Sequence, residues 1–97
     1  MRVYVKYFAA LREIVGKKEE IIEFDDDITV ETLLFNLSKK YGNKFINYVF
    51  KSKTNLPREN LQFLIDGKSI TALRGIKTKL YDNCKYVIIP PVGGGTI

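Results

Sequence analysis

The residues best suited to chemistry stand at the C-terminal end, where Pro90-Pro91 is followed by Val92, Gly93-Gly94-Gly95 and Thr96-Ile97. Two consecutive prolines project a chain stiffly from the element before them. A glycine run then forms a thread without side chains, and four residues beyond Pro91 reach roughly 14 Å when extended. Such a thread could enter a narrow active site on a partner. A frayed terminus is the alternative interpretation.

Two other features could carry chemistry, but each has a simpler explanation. Cys84 could hold a persulfide or a thioester, although a lone cysteine at the start of a strand is more typical of a small buried hydrophobe. Residues 25–27 are three consecutive aspartates that could bind a metal, although a run of this kind in a connecting loop is more typical of a solvated surface.

The composition excludes several classes of function. The 97 residues include no histidine and one cysteine, which rules out a Ser-His-Asp or Cys-His relay, a His/Cys zinc site and an internal disulfide framework. There is no apolar run near the ~20 residues of a membrane span, and the first residues lack the apolar block of a signal peptide. We therefore expect one cytoplasmic domain with no membrane partner and no autonomous active site.

The charge is distributed unevenly along the chain. Residues 1–40 hold seven basic and eight acidic residues, for a net charge of −1, whereas residues 41–97 hold nine and three, for a net charge of +6. Such asymmetry can mark a nucleic-acid partner. The lysines are scattered, however, and a solvated surface explains them equally well, so nucleic acid is an unfavoured partner.

The clearest predicted element is a helix that starts near residue 30. Its apolar positions fall on one stripe of a 3.6-residue helix. Thr29 can cap its N-terminus, and Gly42 can end it in a positive-φ conformation. The stripe consists of Val30, Leu33, Leu34, Leu37 and Tyr41.

Strands and turns account for most of the remaining sequence. Alternation of apolar residues predicts a central strand over residues 2–8, and a further strand at 19–25 would form a hairpin-like pair with it. Asp66-Gly67 is a strong hairpin signal and Asp82-Asn83 a second turn. The other predicted elements are two short helices, a loop and three strands. The helices lie over 9–16 and around 45–49, the loop over 51–57, and the strands over 61–65, 68–70 and 86–89.

Together these elements predict an α+β domain. One long helix can bury its stripe only across a sheet. The continuously apolar first and last strands are natural central neighbours, which gives a ubiquitin-like β-grasp with a mixed four- to five-stranded sheet on one main helix. We assign residues 1–91 to this domain and 92–97 to a flexible Gly-rich tail.

Three stretches of the chain resemble the MoaD/ThiS group of ubiquitin-like sulfur carriers, which includes the small subunit of molybdopterin synthase and archaeal small modifiers. Residues 5–16 are similar to the family opening, an aromatic-Ala step followed by Leu-Arg-Glu and a glycine. Residues 29–33 are similar to the start of its helix. Residues 80–95 are similar to its ending, a turn, a strand and Pro-Pro-Val-x-Gly-Gly.

The resemblance implies a chemistry carried by the backbone. A ubiquitin-activating-type enzyme adenylates the terminal glycine with ATP, and sulfur attack on the adenylate then gives a thiocarboxylate. The matching glycines here are Gly94 and Gly95, so the resemblance makes Gly95 the residue that is activated. No cofactor is expected to be bound by the chain itself, since ATP is used by the activating partner.

This sequence departs from the family pattern at three places. Asn83 and Cys84 replace a usual Gly-Asp, and Ile89 stands where an aromatic is common. The family ends at its Gly-Gly pair, whereas Thr96-Ile97 follows Gly95 here, so we expect a processing protease to remove these two residues. A paralogue that no longer carries sulfur is the other interpretation.

An activated tail would have two outlets. It could supply sulfur to molybdopterin on the large subunit of molybdopterin synthase, or it could pass its acyl group to a lysine of a target protein. Besides the tail residues Pro90, Pro91, Val92 and Gly93, we expect the sheet face beside the tail to dock the partner, with Phe8 and Phe63 as docking residues and Ile65 as a further candidate. Each of these three is also a candidate core residue. A plain β-grasp interaction module or an RNA-binding domain is the competing class of function.

Overall fold

A five-stranded mixed sheet forms the framework of the protein. The structure, a computed structural model, describes residues 1–90. The sheet order is β2-β1-β5-β3-β4, with β1 and β5 parallel and the other neighbours antiparallel. The strands are β1 (Arg2–Tyr7), β2 (Glu19–Glu23), β3 (Gln62–Ile65), β4 (Lys68–Ser69) and β5 (Cys84–Ile89).

Three α-helices accompany the sheet: α1 (Ala9–Val15), α2 (Val30–Tyr41) and α3 (Asn43–Val49). Two 3₁₀ turns, Ile70–Ala72 and Gly75–Lys77, lie between β4 and β5. This order confirms the predicted β-grasp, with β1 and β5 as inner neighbours. The assignment of residues 92–97 to a tail is not tested, since these residues lie outside the described part of the chain.

Helix α2 forms where the sequence pattern predicts it. The Thr29 hydroxyl accepts a hydrogen bond of 3.3 Å from the Thr32 backbone N–H, which satisfies one of the free donors of the first turn. Gly42 ends the helix with φ of 79°, a conformation that disfavours residues with a Cβ. The predicted stripe is buried at Val30, Leu33, Leu34 and Leu37, and Tyr41 packs against it half-buried.

The predicted turns have the backbone geometry their residues favour. Asp66 and Gly67 have φ of 49° and 86°, as a tight two-residue hairpin requires. Asn83 has φ of 66°, which asparagine tolerates, so the family turn is kept without its usual glycine. The strand after the hairpin is shorter than expected, because Ile70 turns into a 3₁₀ helix and buries its side chain.

Alternate residues of β1, β3 and β5 divide the sheet into two faces. The face that joins the core is apolar and buried, and we call it the inner face. The opposite face mixes lysines with half-buried apolar residues, and we call it the outer face. The inner face consists of Val3, Val5, Tyr7, Phe63, Ile65, Cys84, Tyr86 and Ile88.

Candidate functional site

The last strand, β5, ends in the middle of the sheet, one residue before the end of the described chain. β5 ends at Ile89, which lies opposite Gln62 of β3, while Ile88 lies between Tyr7 of β1 and Phe63 of β3. Pro90, the last described residue, is half-buried. The predicted tail residues Pro91, Val92, Gly93, Gly94 and Gly95 lie outside the described residues. The position of Pro90 nevertheless fixes where this segment starts.

Phe8 lies at the same end of the sheet as Pro90. β1 and β5 are parallel and in register at Tyr7 and Ile88, so the residues that follow these two strands emerge side by side. Phe8 is half-buried, with the Lys6 ammonium 5.5 Å and the Arg12 guanidinium carbon 5.9 Å from its ring centroid. Both distances fit cation–π contacts. A cationic aromatic surface therefore borders the start of the tail.

The chain turns sharply at this surface. Phe8 is extended and serves as the N-cap of α1, while the next residue, Ala9, has φ of 50°. Positive φ is uncommon for a residue with a Cβ. The small Ala9 side chain is exposed, which lets the chain pass from strand to helix within one residue. This turn holds Phe8 next to the end of β5 and brings Arg12 over the Phe8 ring.

Phe63 and Ile65 are buried, which favours the interpretation of both as core residues over a part in a partner surface. Phe63 is 4% exposed and stacks on Tyr86, with ring centroids 6.2 Å apart. Both residues face the core because β3 places its odd-numbered side chains on the inner face. The residue between them, Leu64, is half-buried on the outer face. Leu64 is therefore the apolar residue of β3 that lies on the outer face.

The outer face offers an apolar surface bordered by lysines beside the start of the tail. Leu64 lies opposite Val87, and Val87 lies opposite Lys6 of β1. A depression of about 730 Å³ crosses β2, β1 and β5. Its lining combines backbone and side chains of Tyr4, Val5, Lys6, Glu19, Glu20, Ile21, Lys85 and Val87. Sequence reasoning missed these residues, although the apolar Tyr4 between Val3 and Val5 indicated a second partly apolar face.

The opposite end of β5 has a structural role. Cys84 is fully buried, and burial raises the pKa of its thiol, which disfavours the reactive thiolate. Ile89 is five residues further along the strand, a distance of roughly 17 Å. A persulfide or thioester on Cys84 beside the tail does not fit this position. The residue behaves as the small buried hydrophobe that the sequence favoured.

Hydrogen bonds fix the turn that leads into β5. The Asp82 carboxylate accepts a hydrogen bond of 2.8 Å from the Arg2 backbone N–H, and the Asn83 N–H donates one of 2.7 Å to the Arg2 carbonyl. The Asp66 carboxylate accepts hydrogen bonds from the Tyr81 hydroxyl and from the Lys85 N–H, the second at 2.9 Å. The Tyr81–Asp66 contact raises the pKa of Tyr81 to about 12. The Arg2 contacts set the register of β5 against β1, and the Asp66 contacts set it against β3.

One cluster of coupled titratable groups lies between β2 and α2. The Glu20 side chain, 8% exposed, accepts hydrogen bonds of 2.5 Å from both the Tyr7 and Tyr41 hydroxyls and of 2.8 Å from the Lys40 ammonium. Burial opposes ionisation of Glu20, but these three donors outweigh it and lower its pKa to about 2. The same contacts and burial raise the pKa of Tyr7 and Tyr41. The cluster ties a sheet edge to the main helix.

Two further findings limit the kinds of site available in residues 1–90. No group of three or more carboxylate or cysteine side chains is placed to hold a metal ion, and this includes the three aspartates at 25–27. None of the helices in this part of the chain has the length and apolar character needed to cross a membrane.

The parallel central pair, the helix across one face and a glycine-rich segment that leaves the end of β5 define a ubiquitin-like β-grasp protein. The ThiS family matches residues 5–95, and the chain belongs to that family of ubiquitin-like sulfur carriers and modifiers. The match runs from the middle of β1 to Gly95.

Individual relatives are similar over nearly the whole length. Small archaeal modifier protein 3 of Haloferax volcanii is 30% identical over 95 residues, which cover 98% of this chain and 100% of the relative. The solution structure of small archaeal modifier protein 1 from Methanosarcina acetivorans is 32% identical, with a TM-score of 0.79 and coverage of 97% and 96%. A Pyrococcus furiosus protein assigned to molybdopterin converting factor subunit 1 is 28% identical, with a TM-score of 0.75 and coverage of 95% and 99%.

Proposed function

We propose that this protein is a sulfur carrier whose Gly95 carboxyl is adenylated and converted to a thiocarboxylate, and that the sulfur serves molybdopterin biosynthesis. The observation that carries the proposal is the placement of Pro90. The segment that ends in Gly93-Gly94-Gly95 starts at the centre of a rigid sheet, beside Phe8 and the outer face. A partner that grips this surface could receive the segment in its active site.

The chemistry requires activation because a carboxylate is a poor electrophile. A Gly95 carboxylate oxygen attacks the α-phosphorus of ATP bound to a ubiquitin-activating-type enzyme, and pyrophosphate leaves. A persulfide sulfur of the partner then attacks the acyl carbon, and AMP leaves. Reductive cleavage of the resulting acyl disulfide by a thiol leaves the thiocarboxylate on Gly95. Glycine suits these steps because no side chain obstructs the acyl carbon.

The proposal needs Gly95 to be terminal, so Thr96-Ile97 must be removed by a protease. The ThiS match ends at Gly95, which supports this boundary. The chain itself binds no cofactor in this scheme, since the partner binds ATP. The chain's contribution is to position Gly95 in the partner's active site. The partner docks on Phe8, with Lys6 and Arg12, and on the outer-face residues Leu64 and Val87.

A second candidate function is modification of other proteins. It is favoured by the 30% identity to small archaeal modifier protein 3. In this case the activated Gly95 acyl group passes to a lysine amine of a target protein and forms an isopeptide bond. For sulfur donation, the partner would be the large subunit of molybdopterin synthase. For modification, it would be a protein that carries the target lysine.

The test compares the full-length chain with a form that ends at Gly95. Each is incubated with ATP, a sulfur donor and a ubiquitin-activating-type enzyme, and intact mass reports the acyl-adenylate and the thiocarboxylate. We expect both products on the shorter form and neither on the full-length form. Phe8→Ala in the shorter form should slow adenylation, whereas Phe35→Ala, at a residue 61% exposed on α2, should not. Failure of the shorter form to react would contradict the proposal.

A further inference from the structure

Within residues 1–90, the outer edge of β2 has backbone groups that pair with no other strand. Met1 and Phe24 exchange two backbone hydrogen bonds of 2.9 Å, and the Tyr7 N–H donates one of 2.8 Å to the Lys18 carbonyl. In an antiparallel pair, hydrogen-bonded and non-hydrogen-bonded positions alternate. The N–H and C=O groups of residues 18, 20, 22 and 24 therefore face β1, and those of Glu19, Ile21 and Glu23 face outward.

The other edge of the sheet, formed by β4, has fewer backbone groups to which a further strand could pair. β4 is only two residues long, Lys68 and Ser69, and the chain then enters a 3₁₀ turn. Short, interrupted edge strands are protected against pairing. β2 has five residues, and its outward positions 19, 21 and 23 are exposed. Within residues 1–90, β2 is therefore the longer edge available to a further strand.

Side chains on the outer face alternate in a way that specifies the next strand. Arg2 lies opposite Glu23, Tyr4 opposite Ile21, and Lys6 opposite Glu19. Each of these cross-strand rows pairs a basic residue of β1 with an acidic one of β2, or an aromatic residue with an aliphatic one. Such cross-strand pairs are favourable. A strand beside β2 would extend these rows best with a basic residue at both ends and an apolar residue opposite Ile21, which is 54% exposed.

The edge is also held in place before any partner binds. Glu20 projects to the other side of β2, where hydrogen bonds from Tyr7, Tyr41 and Lys40 fix it against α2. A preordered strand loses little conformational freedom when a peptide is added to it. The rigidity of β2 therefore favours strand addition.

We propose that β2 binds an extended segment of another protein, with the pattern basic–apolar–basic at alternate positions, by adding it as a sixth strand antiparallel to β2. The backbone groups of Glu19, Ile21 and Glu23 supply the hydrogen bonds, and the two glutamates select basic side chains. The backbone groups of this edge lie two strand positions away from β5, after which the tail begins, although Glu19 lies opposite Lys6. A partner could therefore be held here while the tail remains accessible.

A second copy of the chain is a poor occupant of the same edge. Antiparallel pairing of two β2 strands about Ile21 places Glu19 of each copy opposite Glu23 of the other. Like charges directly opposite one another are destabilising. The charge pattern thus favours a basic peptide from a different protein.

The test uses a labelled peptide of sequence Thr-Lys-Thr-Val-Thr-Lys-Thr and amide hydrogen exchange of the full chain. We expect new protection at the amides of Glu19, Ile21 and Glu23, and none at residues 20 and 22, whose amides already face β1. Replacement of both peptide lysines by glutamate should abolish binding. Methylation of the peptide valine nitrogen, which removes a donor, should weaken binding roughly tenfold, whereas methylation of the flanking threonine nitrogens should not.

Variants of the chain supply the matched controls. Ile21→Pro removes an outward N–H without touching the β1 ladder, and proline is tolerated at such edge positions. It should abolish binding, whereas Ile21→Thr, which keeps the donor, should retain it. Glu19→Gln combined with Glu23→Gln should weaken binding about three- to tenfold. Equal binding of all the methylated peptides, protection at other residues, or no binding at low salt would each overturn the proposal.

Discussion

The inner and outer faces of the sheet are built from the same strands, yet they serve different purposes. On β3, Phe63 is 4% exposed and stacks on Tyr86, whereas the adjacent Leu64 is half-buried and faces outward. On β1, Val5 is buried and Lys6 is exposed. The period of two separates residues that stabilise the fold from residues that a partner can contact. In such a small domain, one side of each strand is therefore committed to the core and the other is accessible to a partner.

The glutamates of β2 show the same division with one residue type. Glu20 faces the helix, and its carboxylate accepts three close hydrogen bonds. Glu19 and Glu23 are exposed on the other side, opposite Lys6 and Arg2. One charged residue is used for stability and two are available for recognition. Substitutions on the two faces should therefore separate stability from binding.

The largest effect is expected from Phe63→Ala. Removing this buried ring leaves a cavity beside Tyr86, and the free energy of unfolding should fall by about 3–5 kcal/mol. Urea denaturation followed by circular dichroism measures the loss. Leu64→Ala is the matched control on the outer face, where we expect a loss of less than about 1 kcal/mol because the side chain is already in partial contact with water.

Equal losses at the two positions would contradict the division of the sheet into two faces. Phe63→Leu provides the same comparison if the alanine variant does not fold, since it removes less volume from the core. Its loss should lie between those of Phe63→Ala and Leu64→Ala.

Local sequence patterns were sufficient for α2, for the turns at Asp66-Gly67 and Asn83, and for the central position of β1 and β5. Each rests on a backbone preference or a periodicity that neighbouring residues determine. The orientation of β3 was only partly predictable in this way. Phe63 and Ile65 alternate with polar residues at 62 and 66, which favours the odd-numbered side chains as the core face, but the apolar Leu64 between them weakens the pattern. The register with β5 places Phe63 and Ile65 on the inner face.

Local sequence patterns did not predict the side-chain contacts of the site either. Tyr7, Glu20 and Tyr41 come from three different elements, and their meeting depends on how α2 lies across the sheet. Phe8 was predicted as a docking residue from its place on the sheet beside the tail, but its contacts with Lys6 and Arg12 required the strand-to-helix turn at Ala9. These side-chain contacts depend on long-range packing and cannot be predicted from residue spacing along the chain.

An intermediate effect is expected from Glu20→Gln. The amide keeps an acceptor oxygen but loses the charge that Lys40, Tyr7 and Tyr41 stabilise, so the free energy of unfolding at neutral pH should fall by about 1–3 kcal/mol. Glu19→Gln, one residue away on the exposed side, should cost no more than about 0.5 kcal/mol. Urea denaturation of both variants against the wild-type chain makes the comparison.

The pH dependence gives this prediction a second readout. The pKa of Glu20 is about 2 in the folded chain against 4.5 as its ordinary value. A carboxyl with a lowered folded pKa contributes its full stabilisation above the unfolded pKa and loses it as the pH falls toward the folded pKa. The difference between wild type and Glu20→Gln should therefore shrink from pH 4.5 toward pH 2. A difference that stays constant over this range would contradict the role given to the ionised carboxylate.

Leu64→Ala should change stability very little, and its effect on partner binding is the sharpest test of the outer face. If the outer face docks the activating enzyme, truncating Leu64 should raise the Kd for that enzyme about three- to tenfold, because apolar contact with Val87 and with the partner is lost. The urea midpoint should barely change. Isothermal titration calorimetry with the Gly95-terminated chain gives the affinity, and Phe35→Ala on the opposite side of the domain is the control. Weaker binding by Phe35→Ala with unchanged binding by Leu64→Ala would place the docking surface on α2, and the outer face would then have no part in it.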